Sequence, residues 1–160
     1  MKYVGMAFLV VSIWLVGNNY SRKILHGYAL EQEFLRFIKF IRGRVACYLE
    51  PPRRFAGEFA SETLAECGFL PSLARCGTLF EAYESVRDGL NIEKDADEIL
   101  YEYFSHSGKG YLENEIKSLD NTISLLDNLC RKRGEYIENR TKIVKVSSLA
   151  LGLGLSILLL

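Results

Sequence analysis

The sequence has few of the residues that interrupt helices. Its 160 residues include three prolines, at positions 51, 52 and 71, and 13 glycines. No stretch sustains an apolar/polar alternation, so strands have little support. With 49% apolar residues, this composition excludes disorder, collagen and a long low-complexity linker. The length alone excludes a multidomain enzyme.

Residues that carry chemistry are also scarce. The four cysteines, at positions 47, 67, 76 and 130, include no CxxC pair, and the two histidines, at 26 and 106, lie far apart in sequence. A zinc site is therefore unsupported, and we expect no metal, no cofactor and no enzymatic activity. An enzyme that uses a thiol is the open alternative, although no motif surrounds any of these cysteines. The Gly108–Gly110 loop lacks the preceding strand and the spacing of a phosphate-binding turn.

Charge is almost absent from both ends of the chain. All 20 acidic residues and 19 of the 20 basic residues lie between Arg22 and Lys145. The ends, Tyr3–Gly17 and Val146–Leu160, are apolar stretches of 15 residues each, or roughly 22 Å of helix against about 30 Å of hydrocarbon. We interpret them as short membrane segments, because flanking residues snorkel and bilayers thin locally. The predicted parts are an N-terminal membrane anchor at 1–20, a cytoplasmic helical domain at 21–145 and a C-terminal membrane segment at 146–160.

The first apolar stretch has two alternative interpretations. A cleaved signal peptide would have a charged start such as Lys2, but no small-x-small cleavage site follows the apolar run. A helix buried in a soluble bundle would show a polar stripe, which neither end does. The basic residues beside the two segments favour a cytoplasmic location for the central region, with both termini on the opposite side of the membrane. These candidate membrane-proximal residues are Arg22, Lys23, Arg140, Lys142 and Lys145.

Charge in the central region changes sign along the chain. Residues 22–54 hold eight bases and three acids, residues 55–130 five bases and fifteen acids, and residues 131–145 six bases and two acids. Basic parts near an anionic leaflet are favourable, whereas the acidic middle is repelled from it. Because the domain is net acidic, its basic clusters suit lipid headgroups better than nucleic acid.

Helical periodicity covers the central region. The patterns predict helices at 21–49, 53–66, around 71–76, 78–87 and 93–105, with a capping box at Thr78 and Glu81 and a left-handed Gly89. A longer helix begins at Tyr111 and continues into the second membrane segment. Its apolar seam, Leu112 to Ile137, is interpreted as part of an internal core, with an intermolecular coiled coil as the alternative. The fold class is therefore all-α: an antiparallel bundle of about six helices flanked by an N-terminal and a C-terminal membrane helix.

Small residues recur in the second membrane segment. Ser148, Gly152 and Ser156 are spaced by four, which would let another membrane helix approach closely. We regard this strip as a candidate for membrane helix packing.

Several segments together resemble stage III sporulation protein AB of endospore-forming Firmicutes, across nearly the whole chain. They are the N-terminal apolar segment followed by Ser21, Arg22 and Lys23; CYLEPPRRFAGEF after the first long helix; GTLFEAYESV; SHSGKG before the last helix; and the ending LGLSILLL. The chain departs from that family at Arg44, Tyr111 and Glu115, where an acidic residue, Asp and Gln are expected.

The resemblance implies a function. The family's cytoplasmic region is similar to the domain of type II secretion F proteins, an inner-membrane platform that meets a secretion ATPase in the cytoplasm. We therefore expect a non-enzymatic component of the mother cell to forespore channel, in the mother-cell membrane, with the sporulation ATPase, other channel subunits and membrane lipid as partners. The alternative is a membrane-anchored scaffold or regulator that self-associates through residues 112–137. The candidate docking residues are acidic: Glu81, Glu84, Asp88, Asp95, Asp97, Glu98 and Glu102.

Overall fold

The computed structural model describes the backbone of residues 2–158. Side chains are described within that range except at 2–10, 13–14, 16–17, 138–141, 144–145, 148–149, 151–153 and 155–158. The described backbone contains seven helices and no strand, which confirms the all-α prediction. They are α1 (Lys2–Tyr48), α2 (Pro52–Ala56), α3 (Glu62–Glu66), α4 (Phe69–Arg75), α5 (Leu79–Arg87), α6 (Lys94–His106) and α7 (Leu112–Leu158).

The first helix ends where the prolines predict. Leu49 leaves the helix with a φ of 56° while its N–H still donates to the Val45 carbonyl at 3.0 Å. Pro51 and Pro52 then prevent the helix from continuing, because a residue before proline avoids the helical region. Leu49, the last residue of the helix predicted at 21–49, has a left-handed backbone, and its side chain is 67% exposed.

The single helix predicted at 53–66 is wrong, because this segment forms two short helices. Gly57 caps the end of α2, and the Glu58 N–H donates to the Phe55 carbonyl at 2.9 Å. Ser61 begins α3, since its hydroxyl accepts a hydrogen bond from the Leu64 N–H at 3.2 Å. A cap at each side of residues 57–61 makes the break locally stable.

The predicted capping box of α5 is confirmed, whereas the predicted left-handed glycine after it is wrong. Thr78 Oγ1 accepts from the Glu81 N–H at 3.1 Å. Gly89 has no positive φ. Its N–H donates to the Val86 carbonyl at 2.9 Å, so a tight right-handed turn already closes this helix end. The left-handed glycines among the described residues are Gly68 and Gly108, which precede α4 and α7.

The chain divides into two units: residues 27–131, and the remaining parts of α1 and α7. Within residues 27–131, α1 and α7 run antiparallel, as predicted. The Tyr28 hydroxyl donates to the Cys130 carbonyl at 3.1 Å, and Arg42 pairs with Asp120 at 2.8 Å. Gly27 allows the backbone at Asn91 to approach α1 closely, because a Cβ at position 27 would lie 2.1 Å from the Asn91 carbonyl oxygen.

Aromatic side chains fill the core of this unit. The Tyr83 and Phe104 rings lie 4.8 Å apart between centroids, and Phe34 meets Phe69 edge-on at 5.2 Å. Such pairs add to the free energy gained from burying the rings themselves. The apolar seam of α7 faces this core, with Leu119, Leu126 and Cys130 buried and Leu112, Ile116 and Ile123 packed against it. The internal-core interpretation of the seam is therefore confirmed over residues 112–130.

The second unit contains the two predicted membrane segments. Most of their side chains, at 3–17 and 146–160, lie outside the described residues. Of the described side chains in the two segments, Val11 and Leu15 are each 53% exposed. Elsewhere in this unit, Ser21 and Ile137 are buried. The part of the chain that the structure describes includes no helix with both the length and the apolar character needed to cross a membrane.

Candidate protein-docking surface

The seven acidic residues singled out from the sequence are placed in two different environments. Six of them are exposed on or just after α5 and on α6, whereas Asp97 is half-buried between these helices. The exposed six are Glu81, Glu84, Asp88, Asp95, Glu98 and Glu102. Exposure leaves a carboxylate hydrated and able to meet a partner, so only these six are candidates for direct docking.

The α5 acids form one stripe because of their spacing. Glu81, Glu84 and Asp88 follow each other at steps of three and four, which places them on one side of the helix. The opposite side buries Leu79, Ala82 and Tyr83 in the core. One Glu81 oxygen accepts a hydrogen bond from the Gly77 N–H at 3.0 Å, so Glu81 also holds the start of the helix. Glu84 is exposed and stands in the centre of the stripe.

The α6 acids repeat the same spacing. Asp95, Glu98 and Glu102 are exposed at steps of three and four, while the other side of the helix is buried. Glu98 lies 3.5 Å from Lys94, with side chains 63% and 85% exposed respectively. A pair so open to water contributes little to stability. It leaves most of the negative charge of this stripe available to a partner.

Asp97 differs because it is bound by two residues of α5. The Arg87 guanidinium donates to both of its carboxylate oxygens, with Nη2 to Oδ2 at 2.6 Å and Nε to Oδ1 at 2.9 Å. The Tyr83 hydroxyl donates to the same Oδ1 at 2.7 Å. The hydrogen bonds from Arg87, and secondarily the one from Tyr83, hold the pKa of Asp97 below its ordinary value. Burial, aided by the hydrogen bond to Asp97, raises the pKa of Tyr83 far above its ordinary value.

The same cluster fixes how α5 and α6 are held together. The Arg87 guanidinium carbon lies 4.1 Å from the centre of the Tyr101 ring on α6, within the range of a cation–π contact. Because Arg87 is bound to Asp97 and stacked on Tyr101, its charge is internal to the cluster. Asp97 is thus a positioning residue for the two stripes, and sequence spacing alone did not distinguish it from the exposed acids.

The resulting surface is strongly negative. Residues 79–106 hold eight acidic and two basic residues, a net charge of −6, and one of the two bases is the internally bound Arg87. The other, Lys94, is exposed at the start of α6. A surface of this kind attracts a basic partner at long range and discriminates against acidic ones.

The predicted membrane-proximal residues are partly described. Arg22 and Lys23 are exposed on α1, and Lys142 is exposed on α7. The side chains of Arg140 and Lys145 lie outside the described residues. So do those of Ser148 and Ser156, together with Gly152, so the candidate strip for membrane helix packing stays a prediction.

The thiols and histidines of the described residues form no evident reactive arrangement. All four cysteines are free, and burial raises the pKa of the Cys67 thiol, which opposes formation of the nucleophilic thiolate. His106 Nδ1 lies 2.9 Å from the Glu102 carbonyl oxygen and 2.9 Å from the Ser105 hydroxyl. In the described part of the chain, no three His, Cys, Asp or Glu side chains are grouped to hold a metal ion.

Comparison of the chain with models of protein families, with curated proteins and with solved structures finds no match.

Proposed function

We propose that this chain is a non-enzymatic platform component of a sporulation channel or secretion apparatus, where it couples a cytoplasmic secretion-type ATPase to the membrane complex. The resemblance to stage III sporulation protein AB supplies the biological setting. The all-helical fold of the described residues agrees with the type II secretion F-like domain which that resemblance implies.

The observation that carries the proposal is the pair of acidic stripes on α5 and α6. A platform acts by contacting neighbours, and this surface is strongly net negative. The Arg87–Asp97 pair joins its two helices, and its six exposed acids lie outside the core. The ATPase is expected to present basic residues to it. Charge complementarity of this kind speeds encounter and selects the partner.

Membrane tethering belongs to the proposal as well. The apolar ends at 3–17 and 146–160 attach the chain to the mother-cell membrane that faces the forespore, and residues 21–145 face the cytoplasm. Arg22, Lys23 and Lys142 are exposed, so they can contact anionic headgroups. Segments of 15 residues can cross the bilayer fully only where the bilayer thins locally or where flanking residues snorkel to the interface.

Co-purification with the sporulation ATPase tests the docking surface. The purified full chain should retain the ATPase, and the triple variant Glu84→Gln, Asp95→Asn, Glu102→Gln should lose at least tenfold in affinity. These three acids are exposed and make no ion pair among the described residues. Their neutralisation should therefore leave the fold intact. Raising the salt concentration should weaken the wild-type complex and change the residual binding of the variant much less.

A matched triple variant serves as the control. Glu62, Glu66 and Glu135 are equally exposed but lie on α3 and α7. Changing all three to Gln removes the same charge, and binding should stay within about twofold of the wild type. If both variants bind the ATPase as the wild type does, the stripes are not the docking surface; if the wild type itself fails to bind, the coupling function is wrong.

A further inference from the structure

A cleft of about 390 Å³ opens at the end of the 27–131 unit where α1 ends and α7 begins. Its apolar walls include Pro52, Phe80 and Phe104, and its polar groups include Arg53, Lys109 and Glu81. A volume of this size lies in the range of sites that take one drug-sized molecule or a few side chains. The acidic stripes and this cleft share one residue, Glu81.

Hydrogen bonds hold the walls of the cleft in place. The Ser107 hydroxyl and the Gly108 N–H, both at its edge, donate to the buried Glu115 carboxylate, each at 2.9 Å. On the opposite side, Arg53 Nη1 donates to the Leu73 carbonyl at 2.8 Å, and its Nη2 donates to the Cys76 carbonyl. The cleft is therefore formed before any partner arrives, which reduces the entropy lost on binding.

The charged side chains that line the cleft are Arg53, Lys109 and Glu81, which together carry a net charge of +1. The Glu81 carboxylate accepts a hydrogen bond from the Gly77 N–H and keeps its negative charge. Arg53 is bound to carbonyl groups and makes no ion pair in the described residues, so its positive charge has no acidic counterpart there. Lys109 is exposed and likewise has no acidic partner in that part of the chain. A carboxylate that enters the cleft would meet these two cations and the single acid Glu81, so the net interaction is attractive.

Large apolar side chains are exposed in the segments that lead into the cleft. Leu49 is 67% exposed and Tyr111 is 85% exposed, two residues before Pro51 and two after Lys109. Leu49 also has a φ of 56°, which is unfavourable for a residue with a branched side chain. Strained backbone at a residue other than glycine is enriched at functional sites.

We propose that this cleft binds a short peptide segment of a partner protein, one that carries a large apolar side chain next to an aspartate or glutamate. The apolar side chain enters between Phe80 and Pro52, and the carboxylate pairs with Lys109 and Arg53. This inference does not rest on the ATPase, because the acidic stripes require a partner of the opposite charge.

Selection of peptides from a random displayed library tests the inference with the purified full chain in a non-ionic detergent. The selected peptides should be enriched in an aromatic or branched aliphatic residue within two positions of an acid. A labelled peptide from that pool should lose at least tenfold in affinity for Lys109→Glu, measured by fluorescence anisotropy. Phe80→Ala should weaken binding as well, by removing an apolar wall of the cleft.

The control is Lys117→Glu, since Lys117 is an exposed lysine of α7 outside the cleft. It should bind the same peptide within twofold of the wild type. Enrichment of basic peptides, no enrichment at all, or equal effects of the two lysine variants would overturn the proposal. Self-association of the chain that Lys109→Glu abolishes, without peptide enrichment, would overturn it too and identify a second copy as the occupant.

Discussion

Arg87 and Asp97 form a two-point ion pair between α5 and α6, with the Arg87 Nη2 atom 2.6 Å from Asp97 Oδ2. Their side chains are 34% and 21% exposed, so water screens the pair less than it screens the other ion pairs of the described residues. The pair joins the two helices that carry the exposed acids. Together with the Tyr83–Phe104 and Phe80–Tyr101 ring contacts, it sets the relative position of the acidic stripes.

Removing the charge of Asp97 should destabilise the chain. Asp97→Asn leaves the Arg87 guanidinium without its counter-charge, and we expect a loss of about 1–3 kcal/mol in the free energy of unfolding. Denaturant unfolding of the purified chain measures this. Asp95→Asn is the control, because Asp95 is exposed two residues away, and its effect should stay within about 0.5 kcal/mol. Equal effects of the two variants would contradict the role assigned to the pair.

The same carboxylate predicts a dependence of stability on pH. The hydrogen bonds from Arg87 hold the folded pKa of Asp97 below its ordinary value of 3.8. Between the folded and unfolded pKa values the unfolded chain binds more protons, so stability falls as the pH falls. The contribution is complete above 3.8 and is lost as the pH drops through the folded pKa. In Asp97→Asn the acid limb of the stability profile should be shallower than in the wild type.

Two glycines of α1 should respond in opposite ways to alanine. Gly27→Ala places a Cβ 2.1 Å from the Asn91 backbone oxygen, and we expect a loss of stability of about 1–3 kcal/mol. Gly43 has nothing within 4 Å of the same position. Gly43→Ala should therefore stabilise the chain, by about 0.5–1 kcal/mol, because alanine loses less entropy in a helix. Thermal unfolding of both variants tests this, and a Gly27→Ala variant that is as stable as the wild type, or more stable, would refute the close approach at Gly27.

Glu115 should be important for the loop between α6 and α7. Glu115→Leu removes the acceptor for the Tyr103 and Ser107 hydroxyls and the Gly108 N–H. We expect a cost of about 2–3 kcal/mol and faster hydrogen exchange at the Gly108 amide. Glu113→Leu changes an exposed residue one half-turn away and should cost no more than about 0.5 kcal/mol. Unchanged exchange at Gly108 in Glu115→Leu would contradict this assignment.

Cysteine labelling in intact cells tests the proposed orientation. A membrane-impermeant thiol reagent should modify Lys2→Cys and Leu160→Cys, whereas Ala60→Cys should react only after the cells are permeabilised. The wild-type chain provides an internal control, because its own cysteines lie between residues 47 and 130 and should stay unmodified. Labelling of Ala60→Cys in intact cells would place the central region on the other side of the membrane.

Local signals predicted most of the helices. Thr78 and Glu81 lie three residues apart, so their cap needs no information from the rest of the chain. The break between α2 and α3 also has a local signal, Gly57 followed by Ser61, which the prediction of one helix at 53–66 did not use. At Gly89, in contrast, a local signal gave a wrong prediction. Glycine favours a left-handed cap, but backbone hydrogen bonds close that end without one.

Contacts between helices could not be predicted in the same way. Asp95 and Asp97 are equivalent as residues of an acidic first turn. The facing side chains of Arg87 and Tyr83 make Asp97 internal. Glu115 is similar, since its donors come from another helix and a loop. The cleft beside that loop depends on three segments that are distant in sequence, and no spacing rule connects them. The buried face of a helix can be predicted from periodicity, and a helix cap from residues close in sequence. The environment of a charged residue depends on how the helices pack around it.

The burial of Cys130 gives the protein a built-in reporter of core opening. Cys130, on α7, is 5% exposed, whereas Cys47, on α1, is exposed to solvent. Alkylation of Cys47 should therefore proceed at the rate of a free thiol, and alkylation of Cys130 only as often as α7 separates from α1. The ratio of the two alkylation rates measures how frequently α1 and α7 separate, and no engineered label is needed because both cysteines belong to the natural sequence.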